Sequence, residues 1–217
     1  MKQTRSHTAG GSLLPLAEDR LIPQRQVTSV TSIGDGAFIS CEKLTSIVIP
    51  KGVTSIGESA FSGCVNLTSI VIPDGVTSIG DCAFNSCEKL TNVIIPKSVT
   101  GIYKSAFGGC KGLTNVVVPE NVKRIENWAF YGCKSLTSVV LFDGVESIGQ
   151  EAFYSCKNLE SVVIPESVTS IDWCSFDKCK KLKTVYCRTN KQPSGWNDYW
   201  LGNRDGKVKV VWGYKGE

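Results

Sequence analysis

The sequence predicts a mostly β solenoid in which 23-residue repeats stack through a parallel β-sheet, with short strands and helical or 3₁₀ turns. The first observation behind this prediction is a phenylalanine that returns every 23 residues, followed three residues later by cysteine and six residues later by leucine. The second is that each unit ends in alternating apolar and other residues, and in most units a proline follows. A unit of this length cannot bury its apolar face alone, so neighbouring units must stack. The three columns are Phe38, Phe61, Phe84, Phe107, Phe130, Phe153 and Phe176; Cys41, Cys64, Cys87, Cys110, Cys133, Cys156 and Cys179; and Leu44, Leu67, Leu90, Leu113, Leu136, Leu159 and Leu182.

The main strand is predicted at the end of each unit, where Leu44, Ile47 and Ile49 carry the apolar side chains of the first repeat. Alternation with a period of two residues is typical of a strand that buries one face. Pro50 ends this strand because proline offers no N–H group to the next ladder bond. Strands that stack in parallel set a rise of about 4.8 Å per repeat.

A second, shorter extended piece is predicted in the following residues, where Val53 and Ile56 are apolar and the two residues between them are polar. Gly57 then releases the chain into residues 58–61, which predict one helical or 3₁₀ turn. Such a turn is too short to be stable as an isolated helix, so its stability must come from packing between repeats.

The repeat divides the chain into three parts. Residues 1–29 are predicted to be a lead-in that ends in a degenerate capping half-repeat, because terminal units of a solenoid have one face in water. Residues 30–190 form seven repeats. Residues 191–217 break the period and are predicted to be an aromatic cap over the last repeat, although the same aromatic residues could form a platform for stacking on sugars. These residues are Trp196, Tyr199, Trp200, Trp212 and Tyr214.

The ten cysteines follow the repeat rather than the spacing of a disulfide framework. Seven occupy one column, and Cys82, Cys174 and Cys187 also fall on repeat positions. A free cysteine behaves as a small buried hydrophobic residue with a weak donor, so we predict reduced, buried thiols. Disulfide pairing along the column remains the alternative, because strand spacing does not exclude it.

Composition argues against several functional classes. A net charge of +4 over 217 residues is too small to indicate nucleic-acid binding. No apolar run reaches the length of a membrane span, and Pro15 interrupts the short apolar patch near the N-terminus, so no secretory signal peptide is predicted. The only histidine is His7, and the sequence has neither a C-x-x-C pair nor a phosphate-binding glycine motif. We therefore expect no catalysis, no metal and no cofactor.

Two columns are candidates for binding. The first is the outward strand position, Val48, Val71, Ile94, Val117, Val140, Val163 and Tyr186, which alternation places opposite the buried residues. A contiguous apolar stripe marks a contact surface, although β-branched residues also suit strands wherever they point. The second column, Lys111, Lys134, Lys157 and Lys180, is either a solvated ridge or a site for an anionic partner.

The repeat pattern I-G-x-x-A-F-x-x-C-x-x-L-x-x-I-x-I-P resembles the BspA-like (Treponema-type) leucine-rich repeats over residues 30–190. The segment from Lys191 to Tyr214 also resembles the closing segment of some members of that family. The resemblance implies a curved leucine-rich repeat solenoid, often located on bacterial or protozoan cell surfaces and associated with adhesion and protein binding. A host or matrix protein would then be the partner.

The leading functional hypothesis is a non-catalytic adhesion or protein-recognition module that uses the sheet face. An intracellular scaffold or self-assembling structural protein is an alternative, since no signal peptide is predicted and a cytoplasmic location stays possible. Glycan binding through the aromatic C-terminal segment is a further alternative.

Overall fold

The computed structural model describes residues 30–202 and 207–216, and its strands follow the 23-residue period. Each coil contributes a strand of two residues and a longer strand of three or four residues. In chain order the strands are β1 Ser32–Ile33, β2 Ser46–Val48, β3 Ser55–Ile56, β4 Ser69–Val71, β5 Ser78–Ile79, β6 Asn92–Ile94, β7 Gly101–Ile102, β8 Asn115–Val118, β9 Arg124–Ile125, β10 Ser138–Leu141, β11 Ser147–Ile148, β12 Ser161–Ile164, β13 Ser170–Ile171, β14 Thr184–Cys187, β15 Gly195–Trp196 and β16 Lys209–Val211. The predicted lead-in and capping half-repeat, residues 1–29, lie outside the described residues.

The strands stack in two parallel ladders, each divided into two hydrogen-bonded sheets. The longer strands pair in the orders β2-β4-β6-β8-β10 and β12-β14-β16, and the shorter strands in the orders β1-β3-β5 and β7-β9-β11-β13-β15. Pairing keeps equivalent residues opposite one another, as Ile47 does with Ile70 and Val48 with Val71. The predicted parallel β solenoid is therefore confirmed, with about eight stacked coils.

The predicted helical or 3₁₀ turn is wrong, because residues 58–63 form irregular turns instead. Their N–H groups alternate between two directions. The amides of Ser59, Phe61 and Gly63 donate to carbonyls of the next coil at 2.8 Å, whereas those of Ala60 and Ser62 turn back to carbonyls three residues earlier. A helix needs consecutive local bonds, and a left-handed φ of 54° at Ser59 interrupts the run. Hydrogen bonds between coils thus replace the helical bonds on this side of the molecule.

The core lies between the two ladders and the turns. Its centre is a column of phenylalanine rings, stacked nearly parallel with centroids 5.1–5.5 Å apart from Phe38 to Phe176. The alanine before each phenylalanine and the leucine six residues after it are buried from the second coil to the sixth. Stacked contact between aromatic rings stabilises the core beyond what the burial of their apolar area contributes.

All ten cysteines are free thiols, and those of the main column are buried in every coil except the first, where Cys41 is exposed. Each buried thiol of this column donates to the carbonyl of the phenylalanine 26 residues earlier. The distances from sulfur to oxygen are 3.1–3.3 Å in the six coils from Cys64 to Cys179. The column therefore binds adjacent coils as well as filling space.

The C-terminal segment adds an eighth coil. β15 pairs with β13, so that Trp196 lies opposite Ile171 at a spacing of 25 residues. β16 pairs with β14 at the same spacing. Trp200 contacts the last phenylalanine edge to face, with its ring centroid 5.9 Å from that of Phe176. Both tryptophans are only 3% exposed, so they belong to the core of the last two coils.

Candidate binding surface

The outward strand column forms an exposed apolar line along the longer ladder. Strands β4 and β6 show the reason, since the middle residue of each is buried and its neighbours point to solvent. The side chains remain in register from coil to coil because the pairing is parallel. Large apolar side chains exposed in this line are Val48, Val71, Ile94, Val117 and Val140.

Exposure along this column is uneven. It falls from 89% at Val48 to 42% at Val140, and Val163 and Tyr186 are half-buried. At the C-terminal end the ring of Tyr214 packs on that of Tyr186, with centroids 4.6 Å apart. The open part of the apolar line therefore lies on the first five coils.

A groove lies beside the most exposed end of the line. It has a volume of about 440 Å³ and is lined by Val48, Val71, Lys51, Pro73 and Asp74, among others. It combines an apolar floor with charged residues at the edge, an arrangement typical of pockets that receive a side chain.

The threonine column beside the apolar line is already engaged within the fold. The hydroxyl of Thr68 donates to the carbonyl of Thr45, and that of Thr91 donates to the carbonyl of Thr68, at 3.1 and 3.3 Å. Thr114 and Thr137 continue the series. These hydroxyls retain only acceptor capacity for a partner, whereas the exposed Ser69 and Asn92 lie one residue further along the strands.

The four lysines of the lysine column differ in exposure and in ion pairing. Lys111 forms an ion pair with Glu88, with 2.5 Å between Nζ and Oε1. Lys134 and Lys180 are exposed and Lys157 is half-buried, and none of the three has an ion-pair partner within the described part of the chain. The free positive charge of this ridge therefore lies on the later coils.

No cluster of metal-ligating side chains accompanies these surfaces in residues 30–202 and 207–216. Within those ranges no group of three or more histidine, cysteine or carboxylate side chains converges as metal ligands would. His7 lies outside the described residues. None of the described segments forms a helix long and apolar enough to cross a bilayer.

Sequence reasoning missed a second concave surface, on the turns. Two side-chain columns converge there, and from the fifth coil onward most of their residues are tryptophan, tyrosine or carboxylate residues in place of small ones. The signal was present in the sequence, since Trp128, Tyr131 and Tyr154 interrupt columns that carry small or polar residues in the second, third and fourth coils. The aromatic tail, by contrast, has Trp196 and Trp200 buried, so neither ring is available to stack on a sugar.

Known leucine-rich repeat proteins are similar to this chain in sequence and in structure. The pattern of the BspA type leucine rich repeat region matches in six copies, over residues 25–137 and 101–196. A leucine-rich repeat protein of Treponema pallidum is 36% identical over 70% of this chain and 72% of that one, with a TM-score of 0.66. A leucine-rich repeat protein of Bacteroides ovatus is 29% identical, with a TM-score of 0.63, over 85% of this chain and 59% of that one.

A leucine-rich cell surface protein of Faecalibacterium prausnitzii is 27% identical over 87% of this chain and 58% of that one, with a TM-score of 0.50. The chain thus spans about three fifths of the length of the Bacteroides and Faecalibacterium proteins. No curated protein sequence matched it.

Proposed function

This chain belongs to the BspA-type leucine-rich repeat family, and from that premise we propose that it is a non-catalytic adhesion module that recognises a protein partner through the sheet face. The family is generally a non-enzymatic repeat fold whose members bind proteins. The finer statement, that the partner is a host or matrix protein and that the sheet face holds it, is our proposal.

The observation that carries the proposal is the exposed apolar line on the first five coils. A monomer seldom leaves a contiguous apolar stripe in water unless another surface covers it. The parallel ladder holds these side chains in a fixed register, so little conformational entropy is lost when a partner binds. The groove beside Val48 and Val71 offers an apolar anchor point at the most exposed end.

The test replaces Ile94 and Val117 by lysine. Both side chains point to solvent, so the substitutions should leave the fold intact while adding charge to the apolar line. In a quantitative comparison of proteins captured from host serum and matrix extracts, we expect partners of the wild-type chain to be lost with the double variant. Such an apolar contact should depend little on salt.

The matched control replaces Lys111, Lys134 and Lys157 by glutamate. Contact through this ridge would weaken steeply with added salt, because exposed charges are screened at physiological ionic strength. Suppose that replacing the three lysines by glutamate abolished capture of partners, whereas replacing Ile94 and Val117 by lysine left it unchanged. Recognition would then lie on the ridge, and the proposal would be wrong.

A further inference from the structure

A furrow runs along the turn side of the solenoid, and it is formed almost entirely by turn residues rather than strands. Its first section has a volume of about 300 Å³ and is lined by Asn85, Ser105, Gly108, Trp128, Tyr131 and Glu151. The second, of about 480 Å³, continues from Tyr131 and Glu151 to Tyr154, Trp173, Asp177 and Tyr199. Because two residues line both sections, the furrow is continuous from the third coil to the eighth.

Aromatic rings are arranged along this furrow in a regular way. Tyr131 and Tyr154 occupy equivalent positions in adjacent coils, and their rings stack with centroids 5.2 Å apart and planes 2° from parallel. The preceding residue of that column is Gly108, which has no side chain to cover the other face of Tyr131. No aromatic ring continues the stack at this point, and the side-chain amide of Asn85 lies 2.8 Å from where a Cβ atom of Gly108 would be.

The opposite wall carries its large side chains on an unusual backbone. Trp128 and Glu151 adopt left-handed φ values of 60° and 52°, in a column where earlier coils have Ser59, Cys82 and Ser105. Any residue other than glycine in this conformation costs free energy, and a bulky one is uncommon there. The fifth and sixth coils therefore place large side chains on this wall of the furrow, where the earlier coils have small ones.

The two carboxylates of the furrow retain acceptor capacity for a ligand. Among the described residues, the Asp177 carboxylate accepts the backbone N–H of Lys178 at 2.7 Å, and the Glu151 carboxylate accepts the side-chain amide of Gln150 at 3.5 Å. Neither carboxylate has an ion-pair partner there. Burial, followed by the negative charges of Asp177 and Glu151, raises the pKa of the Tyr154 phenol, so both carboxylates act on the same space.

The charge balance decides which ligand fits. Lys178 lines the second section, and Lys104 lies over the Trp128 ring with its nitrogen 5.3 Å from the centroid. Two lysines thus offset two carboxylates, which gives no net attraction for a cation.

A proline-rich peptide would suit the rings, but it has few N–H groups and would leave the carboxylates desolvated without donors. A pyranose presents an apolar C–H face to a ring and hydroxyl groups that both donate and accept.

We propose that the furrow between Asn85 and Tyr199 binds a linear, neutral oligosaccharide, with sugar rings stacked on Tyr131 and Tyr154 and hydroxyls donated to Glu151 and Asp177. This site is separate from the sheet face, and the aromatic tail contributes Tyr199 to it. Its function does not depend on the proposed protein contact.

The test titrates the purified chain with three neutral hexasaccharides, β-1,4-linked glucose, α-1,4-linked glucose and β-1,4-linked mannose, while tryptophan fluorescence and heat are measured. We expect saturable binding of at least one, with Kd of about 1 mM or tighter. Replacing Tyr131 and Tyr154 by alanine should weaken it at least about tenfold. Glu151→Gln keeps the size of the side chain, so it should retain the fold, and it should weaken sugar binding about threefold because a charged acceptor becomes a neutral one.

Tyr103→Ala is the matched control, because Tyr103 is as exposed as Tyr131, 42% against 40%, and does not line the furrow. It should bind the sugar as the wild-type chain does. Circular dichroism melting identifies any variant that fails to fold. If the Tyr131 and Tyr154 variant does not fold, the proposal is tested by the binding affinity of Glu151→Gln. The proposal is overturned if no hexasaccharide binds at about 10 mM, if Tyr103→Ala weakens binding equally, or if a lysine hexapeptide or proline decapeptide binds instead.

Discussion

The buried cysteines of the main column show what single residues contribute to the stack. Cys87, Cys110 and Cys133 each donate an S–H group to a phenylalanine carbonyl of the preceding coil, at 3.2 Å between sulfur and oxygen. A valine of similar size would pack there but would make no such bond. The position therefore favours a small apolar side chain that is also a donor, and this double requirement explains the cysteine in the six coils from Cys64 to Cys179.

Protonation of these thiols links stability to pH. Burial raises the pKa of Cys87 and of Cys133 to about 12, whereas the unfolded thiols ionise near the ordinary value of 9.0. Because the pKa is raised in the folded state, the contribution of each buried thiol to the free energy of unfolding is fully present below pH 9 and is lost as the pH rises toward 12. We expect the free energy of unfolding, from urea titrations at pH 8, 9 and 10, to fall by about 1 kcal/mol per thiol at pH 10.

Lysine and tyrosine residues also titrate in this range, so the comparison needs a matched chain. The double variant Cys87→Ala and Cys133→Ala should be less stable at pH 8 but should lose less stability between pH 8 and pH 10. An identical pH dependence in the two chains would show that the thiols do not cause the loss.

At the scale of elements, the strands could be predicted and the turns could not. The alternation of Ile47, Val48 and Ile49 indicates a strand directly, because burial of one face leaves a period of two residues in the sequence. In residues 58–63 the conformation depends on hydrogen bonds to the next coil, 22 residues further along the chain, and on left-handed φ values. The local sequence shows neither the hydrogen bonds to the next coil nor the left-handed φ values. A short stretch rich in small residues therefore predicts a helical turn.

The second left-handed column offers a direct test of that backbone requirement. It contains Gly63, Gly109 and Gly132 in three coils, serine in three others and Lys178 in the seventh. Gly132 has a φ of 67°, and a Cβ atom there would meet nothing within 4 Å, so alanine adds backbone strain without a steric clash. We expect Gly132→Ala to reduce the free energy of unfolding by about 1 kcal/mol, measured by urea denaturation.

Gly34→Ala is the control, because Gly34 has open space for a Cβ atom and no left-handed φ. It should be neutral or slightly stabilising. Equal losses in the two variants would mean that the left-handed backbone is not what selects glycine in this column.

For the whole molecule, the repeat predicted which side chains face outward but not what surrounds them. Val71 and Ile94 point to solvent as the period of two requires, yet the last member of the column, Tyr186, is covered by the ring of Tyr214, which lies outside the repeat. The furrow was missed for a related reason. Its walls come from two columns three residues apart in the repeat, and only the stack of coils brings Tyr131 of one coil against Glu151 of the next.

The ends of a solenoid set its stability, since every internal coil has two neighbours and a terminal coil has one. The C-terminal coil places Trp196 over Ile171 and Trp200 against the ring of Phe176, which would otherwise form the last layer of the core. The indole nitrogen of Trp196 also donates to the carbonyl of Val168, at 3.1 Å. We propose on these contacts that residues 191–217 act as a cap.

Deleting residues 191–217 should therefore expose Phe176 and Ile171 to water and leave the last ladder strands unpaired. Each buried tryptophan that is lost should cost about 3–5 kcal/mol, so the melting temperature should fall clearly and the truncated chain should associate. Differential scanning calorimetry and light scattering measure the two effects. The single variant Trp200→Ala separates packing from strand pairing, because it retains β15 and β16 while removing the ring that covers Phe176. It should lower the melting temperature without the association that unpaired strands produce. A truncated chain that stayed monomeric and melted as the full chain does would show that the segment contributes nothing as a cap.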